Sequence, residues 1–175
     1  ALSASQIIGV HLENISLKMA DITLKQTELQ ITNQVKSIYY SSLVMEETVI
    51  LLEENLENLN KLLEHTRQKV KVGMSEETDA DQIAVQVASM ESGLNSSRRS
   101  LEMLYNSLRL QLGIGVDKKI ELTQTIEDLM NLDKAISLLS EEFILYNNYD
   151  YQLLVQNLEI SKKQVDIKKW AYAPS

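Results

Sequence analysis

The stretch VKVGMSEETDADQ (residues 70–82) separates two long runs of helix-forming sequence. Gly73 suits the left-handed position that follows a helix, and Ser75 or Thr78 can serve as the N-cap of the next helix. Basic residues precede the glycine and acidic residues follow it, which suits the negative end of one helix dipole and the positive end of the next. The stretch therefore predicts a turn between two helices, and it leaves Met74 as an apolar residue that capping does not explain.

The sequence before this turn carries a heptad-like pattern over residues 5–71. Steps of four and three residues alternate along it, as in helices that pack lengthwise. The phase slips at 31–35 and then resumes, with Ser42 and Thr66 at two of the positions. The apolar members are Ile8, Leu12, Ile15, Met19, Ile22, Leu29, Ile38, Met45, Val49, Leu52, Leu56, Leu59, Leu63 and Val70. A helix of this span would be on the order of 100 Å long.

A second heptad run follows the turn and ends at Gly113 and Gly115, which favour a helix stop. Its members are Ile83, Val87, Met90, Leu94, Ser97, Leu101, Leu104, Leu108 and Leu112. A third helix is predicted near the end of the chain. Three of its apolar residues share one face: Leu154, Leu158 and Val165. Between these helices, KKIEL indicates a short strand, and TIEDLM and DKAISLLSEEFILY indicate short helices.

These lengths predict an all-α fold built on a long antiparallel coiled-coil hairpin. The return helix covers about half of the first helix, and the third is long enough to cover the rest, so we expect the two to stack end to end along it. Both chain ends would then lie opposite Gly73, as in a piece inserted into or cut from a larger protein. We expect one helical domain over 1–175: long helix 1–72, tip turn 73–78, return helix 79–112, equatorial segment 113–148 and third helix 149–172.

The composition excludes several classes of function. The chain has no cysteine, which excludes disulfides and thiolate metal sites. Its net charge of −8 argues against binding to nucleic acid, whose phosphates would repel it. No run approaches the roughly 20 apolar residues of a membrane-spanning helix.

No group of residues predicts catalysis, a cofactor or a metal site. His11 and His65 lie far apart on one long helix, so they do not pair as metal ligands. GIGVDKK follows a helix rather than a strand and lacks the spacing of a phosphate loop. We therefore expect that the chain is not an enzyme. Five tyrosines are predicted to form packing clusters rather than a ligand site: Tyr39, Tyr40, Tyr146, Tyr149 and Tyr151.

Three stretches, in this order and spacing, resemble the TolC-like outer-membrane efflux channels. Residues 67–115, from RQKVKVGM to LGIG, resemble the hairpin of that family's first repeat. The pattern of that hairpin is a basic residue, then V-G-(L or M), a short turn and an acid, followed by a long run that ends in L-x-x-L-x-G. Residues 5–43 resemble the helix that follows the barrel hairpin, and 149–175 resemble the start of the second repeat. The resemblance covers nearly the whole chain.

This resemblance implies a trimer whose protomers contribute strands to an outer-membrane barrel and helices to a periplasmic tunnel. The chain is similar to the periplasmic helical part between the two strand pairs. In that family, hairpin tips close the tunnel entrance at rest and meet a periplasmic adaptor (membrane fusion protein). An inner-membrane transporter supplies the energy. The exported cargo would be drugs, other solutes or type I secreted proteins.

Two groups of tip residues correspond to the family's functional positions. Asp79 matches the acid at the constriction, next to Thr78, and Asp81 would add to an acidic ring at the pore mouth. The residues SEE in the turn are more acidic than those common in the family.

The second group is the motif that docks with the adaptor in the family. Val72, Gly73 and Met74 match it. A glycine permits close approach of another backbone, and an exposed methionine gives an adaptable apolar contact.

Two alternatives predict different features. A structural coiled-coil scaffold would have polar turns, without an exposed apolar tip or a bulge midway. A periplasmic adaptor also carries a long hairpin, but lipoyl-like β segments rich in Gly and Val would flank it.

Overall fold

The computed structural model describes residues 4–129, 136–138, 140 and 142–171. Its helices, in chain order, are α1 (Ala4–Lys71), α2 (Glu77–Leu112), α3 (Ile126–Leu129), a 3-10 helix (Leu145–Asn147) and α4 (Tyr149–Ala171). No strand occurs among the described residues, so the predicted all-α class is confirmed and the strand predicted at KKIEL is wrong. The helix predicted at TIEDLM is confirmed by α3, whereas DKAISLLSEEFILY lies partly outside the described residues.

The chain divides into two compact units. Unit 1 comprises Ala1–Asn33 and Leu132–Ser175, and unit 2 comprises Gln34–Asn131. Helix α1 contributes its first part to unit 1 and its remainder to unit 2. In the described part of the chain, no helix carries an apolar window long enough to cross a membrane.

Unit 2 is an antiparallel hairpin in which α1 packs against α2. The core nearest the turn consists of Leu63, Ala80 and Val87. Partly buried apolar residues from both helices pack around it: Leu56, Leu59, Val70, Ile83 and Ala84. Since each helix presents one apolar stripe to the other, burial of this seam holds the hairpin together.

Two polar contacts show the register of the hairpin. The Tyr105 hydroxyl donates to the carboxylate of Glu46, and Arg98 Nη2 lies 2.6 Å from Glu53 Oε1. The contacts are seven residues apart on both helices, so the register between α1 and α2 is constant over a full heptad.

The predicted seam is confirmed along unit 2, including its polar positions. Ser42 is fully buried and donates its hydroxyl to the Ile38 carbonyl at 2.8 Å, and Thr66 is also buried. The prediction fails at Leu112, which is 55% exposed because it is the last residue of α2.

Helix α2 ends at the predicted glycine stop. Gly113 has φ 66°, and its N–H donates to the Leu110 carbonyl at 3.2 Å. The Ile114 N–H donates to the Arg109 carbonyl at 3.0 Å. These two bonds are those of a Schellman motif, which satisfies carbonyls left free at a helix end.

Arg109 ties the segment after this stop back onto α2. Its side chain is buried, and Nε donates to the Lys118 carbonyl at 2.7 Å. Nη1 donates to Glu102 Oε1 and to Asn106 Oδ1, each at 2.7 Å. The guanidinium therefore links residues nine positions apart, and its fixed fork suits several acceptors at once.

In unit 1, α4 contacts the first part of α1. Gln26 Nε2 donates to Asp150 Oδ1 at 2.7 Å, and Asn148 Oδ1 accepts the Tyr151 N–H at 3.1 Å, which caps the start of α4. The α1 residues buried here are Ile8, Ile15 and Ile22, as the heptad pattern predicts. Leu29, predicted at the next seam position, is instead 48% exposed.

The apolar face predicted on α4 is exposed. Leu154, Leu158 and Val165 are 66%, 54% and 51% exposed. The half-buried positions of α4 include Gln156, Ile160 and Lys163, so the side of α4 that is covered in unit 1 is partly polar.

The predicted tyrosine packing is confirmed for four of the five tyrosines, as two edge-to-face pairs, one in each unit; Tyr149 belongs to neither pair. Tyr39 and Tyr40 have ring centroids 5.9 Å apart, and Tyr146 and Tyr151 have theirs 6.3 Å apart. Such pairs stabilise by about 0.5–1.5 kcal/mol beyond their buried area.

Candidate functional site at the hairpin tip

The hairpin tip, residues 72–81, begins with a glycine-terminated helix end. Gly73 has φ 72°, and its N–H donates to the Val70 carbonyl at 3.0 Å. The Met74 N–H donates to the Lys69 carbonyl at 2.9 Å. This is a second Schellman motif, and it confirms the predicted left-handed glycine. Its two bonds fix the direction in which Met74 leaves α1.

Helix α2 begins at Glu77, with Glu76 as its N-cap. The N-caps predicted from the sequence, Ser75 or Thr78, are therefore wrong. Asp79 explains the difference: its Oδ2 accepts the Glu76 N–H at 3.3 Å, and its own N–H donates to the Glu76 carbonyl at 3.1 Å. A carboxylate at the third helical position that reaches back to the N-cap N–H is one half of a capping box, and the helix dipole favours it.

Apolar side chains project on both sides of Gly73. Val72 is 66% exposed and Met74 is 78% exposed. A Cβ added at Gly73 would meet no atom within 4 Å, so the glycine surface is open. The three residues predicted to dock with the adaptor thus form one accessible patch. An exposed methionine beside an open glycine backbone offers an adaptable apolar contact.

The predicted gate residues lie at the start of α2, and all three are exposed. Thr78 Oγ1 donates to Glu76 Oε2 at 3.4 Å, so Thr78 and Asp79 both belong to the cap around Glu76. Asp81 takes no part in a hydrogen bond or ion pair with the described residues. Ala80, between the two aspartates, is buried in the hairpin core and anchors this turn of helix.

The charges at the tip are separated by sign. Lys69 and Lys71 occupy the last turn of α1, and Glu77 and Asp79 the first turn of α2. Each set complements the dipole of its own helix, as the sequence predicts.

The described ranges contain no cluster of three or more His, Cys, Asp or Glu side chains able to hold a metal ion. His11 and His65 are exposed on α1.

Sequence reasoning missed the cap at Glu76 and the anchor at Arg109. The signal for the cap was the spacing of Glu76 and Asp79, an acid three residues after another at the start of a heptad run. Arg109 stands just before a glycine stop, but nothing in the sequence indicates that it reaches Lys118.

The fold and the tip define a class: a helical-hairpin protein that presents an apolar turn between oppositely charged helix ends. The sequence pattern of the outer membrane efflux protein family matches residues 10–114, which include most of α1, the whole tip and all of α2. The chain belongs to this family. No curated protein and no solved structure gave a significant match.

Membership makes the chain a component of an outer-membrane efflux channel. The family is one of transport proteins and not of enzymes. Its members form trimers and work with adaptor and inner-membrane pump partners.

Proposed function

We propose that the chain forms the periplasmic helical part of one repeat of a trimeric outer-membrane efflux channel. In this role it lines a tunnel that carries drugs, other solutes or type I secreted proteins from an inner-membrane transporter, through a periplasmic adaptor, out of a Gram-negative cell. Family membership over residues 10–114 and the antiparallel hairpin support the proposal.

The gate consists of Thr78, Asp79 and Asp81. Repeated threefold, the two aspartates place an acidic ring at a narrow mouth, which favours cations and repels anions. Their exposure at the end of the hairpin supports this role. The closed state is held by contacts between tips.

The docking patch consists of Val72, Gly73 and Met74. The adaptor opens the gate by binding the separated tips more tightly than the closed ones, since a ligand shifts an equilibrium only by its differential affinity. The exposure of Met74 at the turn of the hairpin, beside the open backbone of Gly73, is the single observation that carries this proposal.

The gate is tested by Asp79→Ala in the full-length channel, with conductance and drug sensitivity as readouts. We expect increased leak of cations and greater drug sensitivity, because a tip contact that closes the entrance is lost. Asp79→Asn keeps an oxygen for the Glu76 N–H and separates loss of charge from loss of the cap. Unchanged conductance in both variants contradicts the gate.

Docking is tested by Met74→Ser, with binding of the adaptor hairpin as the readout. We expect weaker binding, because an exposed apolar contact is replaced by a hydroxyl. Val85→Ser is the matched control, since Val85 is 70% exposed on α2 but lies outside the tip. Equal effects of the two substitutions contradict a specific docking patch. No particular observation favours a structural scaffold or an adaptor as a second function.

A further inference from the structure

A groove of about 580 Å³ lies within unit 1, between α1 and the segment that leads into α4. Residues 27–33 of α1 are all exposed, so this stretch is not part of a buried seam. Leu29, which the heptad pattern assigns to a seam, lines the groove instead. The groove is therefore a break in the packing of the helices and not an extension of the seam.

Carboxamide side chains line the groove. Gln30, Asn33 and Asn147 make no side-chain hydrogen bond with any described residue. Each carboxamide carries two donor hydrogens and an acceptor oxygen. The groove thus offers several donor and acceptor groups to a ligand that needs both.

The charge of the groove argues against an anionic ligand. Its lining includes Glu142 and Asp150 and no basic residue. Asp150 already accepts a hydrogen bond from Gln26 at 2.7 Å. The carboxamides match a neutral ligand that hydrogen-bonds through groups that both donate and accept.

Two aromatic residues, Phe143 and Tyr149, complete the lining. Phe143, the single phenylalanine of the chain, is 78% exposed and borders the groove. The face of such a ring is electron-rich and attracts weakly positive C–H groups. A pyranose ring has an apolar C–H face and a rim of hydroxyls, and an N-acetyl substituent adds an amide that pairs with carboxamides.

We propose that this groove binds a neutral N-acetylated oligosaccharide. Phe143 packs against the C–H face of one sugar ring, while Gln30, Asn33 and Asn147 bond to hydroxyl and acetamido groups. An extended polypeptide also presents amides, but it has no broad C–H face to pack against the exposed ring of Phe143. The proposal concerns unit 1 and does not depend on the function of the tip.

The test is an NMR titration of the ¹⁵N-labelled chain with N,N′,N″,N‴-tetraacetylchitotetraose. We expect shifts in the side-chain amide resonances of Gln30, Asn33 and Asn147, with little dependence on salt because the ligand is uncharged. Phe143→Ala should weaken binding by about tenfold, through loss of the aromatic contact. Far-UV circular dichroism confirms that the variant keeps its helices.

Matched controls lie outside the groove. Gln68→Ala removes an exposed amide from the same helix, and Met103→Ala removes a side chain that is 63% exposed on α2, so both should leave saccharide binding unchanged. The proposal is overturned if millimolar saccharide shifts none of the groove amides, or if Phe143→Ala binds it as tightly as the parent. It is also overturned if an oligo-alanine peptide shifts these amides and the saccharide does not, since the groove would then be a polypeptide site.

Discussion

Asp79 Oδ2 accepts a hydrogen bond from the backbone N–H of Glu76 at 3.3 Å, so the carboxylate proposed for the gate also caps α2. One side chain therefore combines two roles, a local bond and a charge at the tip. A substitution that removes both at once cannot separate them. Asp79→Asn and Asp79→Ala both remove the charge, but only Asp79→Asn keeps an oxygen that can accept the hydrogen bond from the Glu76 N–H.

Asp79→Ala should lower the free energy of unfolding of the chain by about 0.5–1 kcal/mol, because the Glu76 N–H loses its acceptor. Asp79→Asn should lower it less. Urea unfolding of the two variants measures the difference. Asp81→Ala is the control for loss of an exposed acid, since Asp81 makes no such bond within the described residues. Equal losses for Asp79→Ala and Asp79→Asn would show that the bond contributes nothing.

Gly73→Ala and Gly93→Ala should have opposite effects on stability. A Cβ at either position meets no atom within 4 Å, so neither substitution causes a clash. Gly73 has φ 72°, where an alanine is strained by roughly 1 kcal/mol, whereas Gly93 lies within α2, where alanine stabilises by about 0.5–1 kcal/mol. Thermal unfolding of both variants checks the signs. A gain in stability for Gly73→Ala would contradict the left-handed turn.

Arg109→Ala should destabilise unit 2 by about 1–3 kcal/mol, because a buried side chain loses three hydrogen bonds. Arg99→Ala, on an exposed position of the same helix, should change stability by less than about 0.5 kcal/mol. The urea midpoint of each variant gives the comparison. If the two variants unfold alike, Arg109 does not anchor the segment after α2.

Glu53 and Arg98 should show weak coupling across the hairpin. Both side chains are about half exposed, at 45% and 53%, so solvent screens their 2.6 Å ion pair. A double-mutant cycle with Glu53→Gln and Arg98→Gln should give about 0.2–1 kcal/mol at low salt and less at high salt. A coupling energy that does not fall with added salt would rule out an ion pair as its source.

Glu46 should make the stability of the hairpin depend on pH. Partial burial raises the pKa of its carboxyl above the usual value, so folding favours the neutral form. This stabilisation is fully present below the unfolded-state pKa of about 4.3 and is lost as pH rises through the folded-state value. Glu46→Gln stays neutral and keeps an acceptor for Tyr105. Its stability relative to the parent should therefore rise between acidic and neutral pH.

Urea unfolding of Glu46→Gln at both pH values measures this change. Glu47→Gln, at the exposed neighbouring position, controls for the altered net charge. A constant difference between Glu46→Gln and the parent across the pH range would refute the role assigned to burial.

The lengthwise packing could be predicted from sequence because a seam between helices repeats every seven residues. The four-three spacing assigned even Ser42 and Thr66 to the buried face correctly. The same pattern failed at Leu29, close to the phase slip at 31–35, where residues 27–34 of α1 are all exposed. Periodicity identifies the face that a helix can bury, but not whether a partner is present to bury it.

Details that depend on contacts between separate segments could not be predicted. The choice of Glu76 over Ser75 as the cap depends on the path of the turn after Gly73, because serine is the commoner N-cap residue. The bond from Arg109 to the Lys118 carbonyl joins a helix to an irregular segment. The roles of Thr78, Asp79 and Asp81 in a gate, and of Val72, Gly73 and Met74 in docking, remain predictions, because they concern a partner and not this chain.

The heptad pairing of α1 with α2, seen in the contacts of Tyr105 with Glu46 and of Arg98 with Glu53, also restricts how the length of the hairpin can change. An insertion in one helix alone shifts every later pair out of alignment. Matched insertions of one heptad in both helices lengthen the rod by about 10 Å and keep each partner. The length of the hairpin can therefore change during evolution in steps of one heptad, without any change to the turn at Gly73.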